Sequence, residues 1–553
     1  MSKKIAYFLI HIVIILLNPF ETQVEADSLT VTPAINQQAE YSLNVEGWKT
    51  LLLDLSRAGT ADNYTIQLDG ALDLSRTAIG ENVIYSEPTP ATINFVSVSP
   101  ALTIKGSSSK AELVLPDMCF FGQDLHFEDL ALQAPRIYGN GHRLLFEKIQ
   151  HNQRTQLFGG SNQNLFGDPL LIFQQVIGGS WEIYGGNETG VLTGNPTIQI
   201  KNLVGNISQL CGGSLEGQVV GEIRTEINHL SGSLASYYGG GIGTEAEPCE
   251  VTGGITNQLA STAADFTLGN FVGGVAYGRC GPIQTTINGA GSFSSAGILI
   301  GGSQVGEIVG ADRAITTHLD TRQFQQGERS FVGGNQYSGR IIGSIENSIY
   351  AGEVGKGSFT RMDGAGGMEI QKKALSNSNN LVPEVNLTDP QNKSPEEAFY
   401  DQLTAAERLG LAESKTLFSV EGNVTTHLLG GCVSGGLGNT QSVRGAGFAG
   451  VIKGNVYLIL GEEDLVYSKR WGTHAQQMEI DPNSLPEISN LGSSYGFSAS
   501  GGGGDSQSAY ENTLFINGTT NLIICKALLG FAYGGSFSGT IIGNSNTQLH
   551  GGQ

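Results

Sequence analysis

Two short acidic runs contain the side chains best suited to acid–base or cation chemistry. They are Asp124, Glu128 and Asp129 in the first half of the chain, and Glu462, Glu463 and Asp464 in the second half. A glycoside hydrolase requires two carboxylates about 5–9.5 Å apart, and a Ca²⁺ site requires several oxygen ligands, often carboxylates. We interpret both runs as solvated edges of the fold, with a catalytic patch as the alternative.

The other candidate residues do not form a recognisable catalytic set. Four carboxylates of the repetitive region do not recur in register: Glu222, Glu226, Asp312 and Asp320. His318 and His427 hold equivalent outward positions, but the repeat containing Ser348 lies between them, so a shared metal is not expected. The sequence has no nucleophile-elbow, zinc-protease or phosphate-loop motif. The catalytic residues therefore stay unassigned, no metal or cofactor is predicted, and Ca²⁺ has no supporting pattern.

The overall composition excludes two classes of partner. The 553 residues include 79 glycines, only 15% charged residues and a formal net charge of −21. An acidic chain with few Lys and Arg is poorly suited to neutralising phosphates, which argues against nucleic acid and against a polybasic contact with lipid. Glycine is about twice as frequent as the usual roughly 7% and shows no collagen period, so glycines must recur inside folded structure.

Residues 1–26 have the three parts of a secretory signal peptide. Lys3 and Lys4 form the basic start, residues 5–17 form the apolar stretch, and residues 24–26 form a small-residue cleavage site. An uncleaved anchor is the weaker alternative, because the apolar stretch is shorter than the ~20 residues that span a bilayer. We therefore expect a secreted or surface-associated protein without a membrane span after cleavage.

The six cysteines leave the redox chemistry open. They are Cys119, Cys211, Cys249, Cys280, Cys432 and Cys525. Their wide spacing contains no zinc-ligand pattern. Cys211, Cys249 and Cys280 lie in neighbouring repeats and can pair in an exported chain, whereas isolated buried thiols are the alternative.

A repeated glycine-rich segment indicates the fold. GGSLEGQVVGEIRTEIN at 212–228 has copies at 273–288, 301–319 and 333–349. The strand-like ends at Ile227, Leu259, Ile287, Leu319 and Ile349 are spaced by 32, 28, 32 and 30 residues, which is typical of a solenoid. Glycine excludes helical repeats, since each internal glycine costs a helix about 1 kcal/mol. We predict an all-β protein, a single-stranded right-handed parallel β-helix with coils of about 28–32 residues, in which glycines with positive φ form the corners.

The alternation within each repeat predicts which side chains point inward. Side chains at i, i+2 and i+4 share one face of a strand, so Ile223, Thr225 and Ile227 face the interior. The middle inward position is polar in each copy, at Thr225, Asn257, Thr285, Thr317, Asn347 and Thr426. Buried polar groups require hydrogen bonds, so we expect these side chains to stack and to bond to one another.

The repeat also divides the chain into regions. Residues 27–150 contain a predicted cap helix at 44–58 and the first irregular coils, and residues 151–355 form the glycine-rich coils. The helix presents Trp48, Leu51, Leu52 and Leu55 on one face. Residues 421–553 form further coils without a recognisable C-terminal cap.

Residues 356–420 interrupt the pattern and predict an insertion that carries one helix. Ser394 and Glu397 have the spacing of a capping box, and Pro395 suits the first helical position. Insertions in solenoids project from one face, often the binding face; a lid without a binding role is the alternative.

These features together resemble the secreted, pectin-lyase-like parallel β-helix surface proteins of Gram-positive and gut bacteria. The residues that carry the resemblance are the Trp48 helix, the coils ALTIKGSS and DLHFEDLAL, and the GG-x-G repeat. The resemblance implies a parallel β-helix. It also implies a role among polysaccharide lyases, hydrolases, adhesins and other non-catalytic surface proteins.

We expect a non-catalytic binding or adhesion role toward a glycan or another surface, because the long stack shows no catalytic constellation. A polysaccharide lyase or glycoside hydrolase is the first alternative, and it rests on the resemblance alone. A structural surface stalk is the second alternative.

Overall fold

The computed structural model describes residues 28–35, 38–57, 63–75, 92–93, 101–294, 297–353, 355–366, 418–433, 442–447, 450–467, 497–503, 514–527, 529–536 and 539–550. The predicted signal peptide lies outside these residues. The described residues form one α-helix, α1 (Val45–Arg57), and strands β1 to β47.

The strands follow one another closely along the chain. Strands β1 to β16 are Ser28–Ile35, Gln38–Ser42, Tyr64–Leu68, Ala71–Asp73, Thr92–Ile93, Ala101–Gly106, Glu112–Val114, Cys119–Phe121, Asp124–Glu128, Ala131–Gln133, Arg136–Tyr138, Arg143–Glu147, Ile149–Gln150, Arg154–Phe158, Leu165–Phe166 and Leu170–Phe173. Strands β17 to β34 are Val176–Tyr184, Thr189–Thr193, Thr197–Ile200, Leu203–Cys211, Glu216–Val220, Ile223–Ile227, Leu230–Ser231, Ser233–Tyr238, Cys249–Val251, Ile255–Leu259, Thr267–Val272, Tyr277–Cys280, Ile283–Ile287, Ser292–Phe293, Ile298–Ile300, Val305–Asp320, Gly327–Val332 and Gly339–Tyr350. Strands β35 to β47 are Lys356–Asp363, Phe418–Val420, Val424–Cys432, Ser442–Arg444, Gly450–Ile452, Val456–Leu460, Val466–Tyr467, Phe497–Ser500, Leu514–Ile516, Thr520–Ile524, Leu529–Tyr533, Thr540–Ile541 and Ser545–Leu549.

Parallel stacking of these strands confirms the predicted solenoid. A regular coil contains three strand positions, for example β21, β22 and β24, and each pairs in parallel with its counterpart in the next coil. We call these positions the first, second and third series. The first and second positions are continuous in β32 and β34, which joins their series into one 27-stranded sheet, while the third series belongs to a 20-stranded sheet. The side chains that point inward from the three series form the apolar core.

The N-terminal end of the stack is closed by elements that differ from the coils. The predicted helix forms as α1, and its buried Trp48, Leu51 and Leu55 belong to the same apolar cluster as the first coils. Asn44 caps the helix, since its Oδ1 accepts a hydrogen bond from the Gly47 amide at 2.9 Å. The sequence did not indicate the antiparallel pairing of β1 with β2 and with β3, which ends the long sheet beneath the helix.

The predicted inward polar positions are in register. Thr225, Asn257, Thr285, Thr317, Asn347 and Thr426 pair in that order along the second series, and all six are buried. The expectation that they bond to one another holds for two pairs. The Asn257 amide donates to Thr285 Oγ1 at 3.0 Å, and the Asn347 amide donates to Thr426 Oγ1 at 3.2 Å. Among the described residues Thr317 Oγ1 has no partner, so the bonds do not run continuously through the stack.

The glycine doublets at 273–274 and 333–334 are not among the corners with positive φ that the sequence predicts. Positive φ occurs at the later glycines of the repeat, such as Gly278 (135°) and Gly339 (115°), and not at the doublets 273–274 and 333–334. At Gly333 a Cβ would collide with the Gly364 carbonyl oxygen and with the inward Asn347 side chain. The first glycine of a doublet is therefore required by the close approach of two sheets and of successive coils.

The insertion begins later than predicted. Residues 356–363 form strand β35, which pairs with β33 on one side and with β38 on the other, and the next coil resumes at Phe418. The boundary at 356 was wrong because β35 has charged residues where other coils have apolar ones. Asp363 is fully buried there, and the guanidinium groups of Arg361 (2.6 Å) and Arg444 (3.0 Å) bind its carboxylate. The predicted helix near 394–410 lies outside the described residues.

The coils on either side of the insertion stack directly on each other. Ile345 pairs with Val424, and Ile349 pairs with Leu428. The predicted C-terminal coils continue through β40, β44 and β47. The solenoid is therefore continuous across the insertion.

Replacing Gly333 by Ala tests the role assigned to the doublets. The added methyl meets backbone and a buried amide, so we expect a loss of about 1–3 kcal/mol and a lower urea midpoint by circular dichroism. Gly254→Ala is the matched control, because its Cβ would meet only Pro282 atoms at 3.5 and 3.8 Å. Equal midpoints for the two variants would contradict the close-approach explanation.

Candidate functional site

Ten outward side chains lie in register on five successive coils of the second series, and we call this surface the polar face. Its strands are β19, β22, β26, β29 and the second half of β32. One column is Thr197, Arg224, Thr256, Gln284 and Thr316, and the other is Gln199, Glu226, Gln258, Thr286 and His318. None of the ten is buried. Neighbouring members of a column lie about 4.8 Å apart, because the strands are hydrogen-bonded neighbours.

Most of the polar face is free to bind something else. Arg224 and Glu226 form an ion pair with each other. The other eight side chains make no hydrogen bond within the described part of the chain. They are neutral amides, hydroxyls and one imidazole, which can both donate and accept hydrogen bonds. The surface can therefore hydrogen-bond a neutral polar ligand along the axis of the stack.

The outward charges of the first series neutralise one another. Arg279 lies between Glu250 and Glu307 of adjacent coils, at 3.7 and 3.0 Å. Further along, Glu421 accepts a hydrogen bond from Arg340 Nε at 2.7 Å and lies 3.4 Å from the Lys453 ammonium. This series is therefore a ladder of alternating charge and not a free acidic stripe.

The first predicted acidic run does not form a carboxylate pair by itself. Asp124 and Glu128 point outward at opposite ends of β9, about 13 Å apart for four extended residues. Asp124 accepts the Arg143 amide at 2.9 Å and lies 3.6 Å from His142. Asp129 turns away with a positive φ of 56°.

A carboxylate that sequence reasoning missed lies beside this run. Glu147 is the register partner of Glu128 in the next coil, and the two outward carboxylates therefore face one another. Lys105 binds Glu128 at 2.6 Å, and His126 binds Glu147 at 3.1 Å. The Phe-Glu dipeptide at 127–128 and again at 146–147 was the available signal. We call these four residues the Glu128–Glu147 cluster.

The second acidic run packs beside two other candidate residues. His427 Nδ1 lies 3.1 Å from Glu462. Burial is the main cause of a raised pKa of the Tyr350 hydroxyl, and the nearby carboxylates of Asp464, Glu463 and Asp320 raise it further. Gly430 makes room for this arrangement, since a Cβ there would contact both the Tyr350 ring and Asp464. The arrangement has the geometry of a packed turn.

The paired histidine positions are as predicted. His318 pairs with Ser348, and Ser348 pairs with His427, so one coil separates the two imidazoles. Across the described ranges, no group of three or more His, Cys, Asp or Glu side chains is arranged to hold a metal ion. Of the remaining carboxylate residues, Glu222 donates its backbone N–H to Asn195 Oδ1 at 2.8 Å, and Asp312 is exposed.

The cysteines are free thiols, which was one of the two alternatives. Five are buried, and Cys525 is partly exposed. Cys211 and Cys249 both donate to the Ser214 carbonyl, at 3.4 and 3.7 Å. Burial raises the pKa of Cys249 to about 11 and that of Cys280 to about 12. Such thiols are protonated at neutral pH and are poor nucleophiles.

Comparison with known protein families, with curated proteins and with solved structures finds no match for this chain. Within the part of the chain that the structure describes, no helix has the length and apolar character needed to cross a membrane.

Asp320 allows a test of the second acidic region. Its hydrogen bonds with Arg322, at 3.0 and 2.7 Å, lower the pKa of the carboxyl below the ordinary 3.8. Since the pKa is lower in the folded state, the pair stabilises the protein fully above the ordinary value, and this stabilisation is lost as pH falls through the folded value. Arg322 also lies over the Tyr350 ring, at 3.7 Å from its centroid, and this contact does not depend on the Asp320 charge. We expect Arg322→Gln to lower the urea midpoint at pH 7 and to show a smaller difference from wild type near pH 2.

Lys201→Gln is the control, because Lys201 is exposed. Its difference from wild type should not change with pH. A constant difference between Arg322→Gln and wild type down to pH 2 would show that the Asp320 contact contributes nothing.

Proposed function

We propose that this protein is a secreted or surface-associated, non-catalytic binding protein for an extended neutral polysaccharide. The observation that supports the proposal is the polar face, on which seven neutral side chains and His318, none of them buried, make no hydrogen bond within the described residues. The extracellular location rests on the signal-like residues 1–26.

Sugar polymers suit this surface for two reasons. Amide and hydroxyl side chains donate and accept hydrogen bonds, as sugar hydroxyls do. The same pair of columns also recurs at each coil, so a chain lying along the axis meets equivalent groups repeatedly, and weak contacts add up to useful affinity. The face has no charge stripe, since Arg224 and Glu226 neutralise each other.

Retention on polysaccharides tests this function. Residues 27–553 would be passed over a panel of neutral and acidic polysaccharides, and both retention and released sugar ends would be measured. We expect retention on a neutral polymer without products. The triple variant Gln258→Ala, Gln284→Ala, Thr316→Ala should bind at least about tenfold more weakly, because each lost hydrogen bond contributes about 0.5–1.5 kcal/mol.

The matched control places similar changes on another surface. Gln218 and Thr193 point outward from the first series, so Gln218→Ala with Thr193→Ala should leave retention unchanged. Equal loss in both variants, or wild-type retention by the triple variant, would remove the polar face as the binding surface. No retention on any polymer would favour a structural stalk.

A glycoside hydrolase is the second candidate, and the Glu128–Glu147 cluster favours it. The two carboxylates are register partners on adjacent coils, about 4.8 Å apart at the backbone, which is close to the shorter separation used by paired-carboxylate hydrolases. Lys105 forms an ion pair with Glu128, and His126 lies within hydrogen-bond distance of Glu147, which is why we rank this candidate second.

Release of reducing ends would support the hydrolase. In that case Glu128→Gln and Glu147→Gln should each lower the rate by about a hundredfold or more, while Glu216→Gln, an exposed first-series residue, should have no effect. Activity that survives both substitutions in the Glu128–Glu147 cluster would place the chemistry elsewhere.

A further inference from the structure

A cavity of about 310 Å³ opens on the third series, whose strands belong to a different sheet from those of the polar face. It spans three successive coils, at β10, at the residues after β13, and at β17. The side chains that define it are Gln133, Gln150, His151, Asn152 and Ile177, together with the backbone of Gly178.

The cavity is formed by an irregularity in β17. The register between β17 and β20 shifts between Ile177 and Ser180, and the intervening Gly178 and Gly179 have φ of 89° and 79°. A Cβ at Gly178 would collide with the His151 carbonyl, and a Cβ at Gly179 would collide with the His151 ring. Two adjacent glycines therefore let β17 bulge around His151 and leave Ile177 50% exposed.

The floor of the cavity is rigid and neutral. His151 is buried, its Nδ1 bonds the Leu132 carbonyl at 2.8 Å, and its Nε2 lies 3.0 Å from Thr155 Oγ1. Its ring lies against Trp181, with 4.2 Å between ring centroids. Burial lowers the pKa of His151, which favours the uncharged imidazole at neutral pH.

The rim combines amides with one apolar surface. Gln133 is anchored by a hydrogen bond to Glu112. The exposed Gln150 and Asn152 side chains make no hydrogen bond within the described residues. None of the six groups that define the cavity carries a charge at neutral pH. Amides suit hydroxyl groups, and the Ile177 side chain suits the C–H face of a sugar ring.

We propose that this cavity is a second binding site, which holds a single neutral sugar unit such as a chain end or a branch. Gln150 and Asn152 hydrogen-bond its hydroxyls, and Ile177 packs against its ring carbons. The site lies on the third series and does not require the polar face, so it goes beyond the function proposed above.

Saturation-transfer NMR with single sugars tests this site. The probes are the methyl glycosides of glucose, galactose, mannose and N-acetylglucosamine, with glucuronate as a charged comparator. We expect at least one neutral probe to bind with a dissociation constant in the millimolar range and glucuronate to bind more weakly. The double variant Gln150→Ala, Asn152→Ala should weaken binding of that probe by about tenfold, or roughly 1.4 kcal/mol.

Two further variants separate this site from its surroundings. Ala131→Phe places a ring at the cavity wall and should abolish the signal, whereas Gln175→Ala, an exposed change outside the lining, should preserve it. The polar-face triple variant should also preserve it. Absence of signal from every neutral probe with wild type, or an unchanged signal with the double variant and Ala131→Phe, would overturn the proposal. Either of these two outcomes would leave the retention of polysaccharides by the polar face unaffected, so the two proposals can fail separately.

Discussion

The close approach of glycine backbones between successive coils is the constraint on which the rest of the structure depends. From Gly159 to Gly501, one glycine in each coil lies so near the carbonyl oxygen of its counterpart in the next coil that a Cβ would collide with it. These glycines form one column: Gly159, Gly185, Gly212, Gly239, Gly273, Gly301, Gly333, Gly364, Gly445, Gly501 and Gly534. Because these glycines have no side chain, the strands of the third series can also lie close to the inward side chains of the second series. Asn257 and Asn347 use this proximity, since their amides donate to the carbonyls of Gly273 (2.9 Å) and Gly364 (2.8 Å).

The inward polar ladder is therefore as much a link between sheets as a link between coils. Asn257 also accepts the Tyr237 hydroxyl at 2.7 Å, so its side chain joins the second and third series within the core. Apolar residues replace the polar ones at both ends of the ladder, at Ile198 before Thr225 and at Leu458 after Thr426. The glycine column extends past both ends. Close approach is thus the general requirement, and the amides are a local means of satisfying carbonyls inside a dry core.

Period and alternation could be predicted from sequence because both are properties of a strand itself. The register of Thr225 with Asn257 follows directly from counting residues between equivalent positions of successive repeats. The role of the doublets could not be predicted, since positive φ and close approach both demand glycine and only coordinates separate them. β35 was missed because buried Asp363 with its arginine partners looks like surface sequence. Of the candidate sites, the outward positions were predictable. Glu147 and the cavity around His151 were not, because they depend on a coil step of different length and on a bulge in β17.

Stacking also restricts what the outer surface can present. A residue repeated in register faces its own kind about 4.8 Å away, so a column of like charges repels itself. The first series meets this restriction by alternating signs, as in Glu250, Arg279 and Glu307. The polar face meets it by using neutral amides and hydroxyls. Charged side chains that pair with each other are not available to a ligand, whereas the amides, hydroxyls and imidazole on the other four coils of the polar face keep free donors and acceptors. When the neutral side chains of a regular solenoid do not hydrogen-bond to one another, they favour ligands that are themselves neutral and repeating.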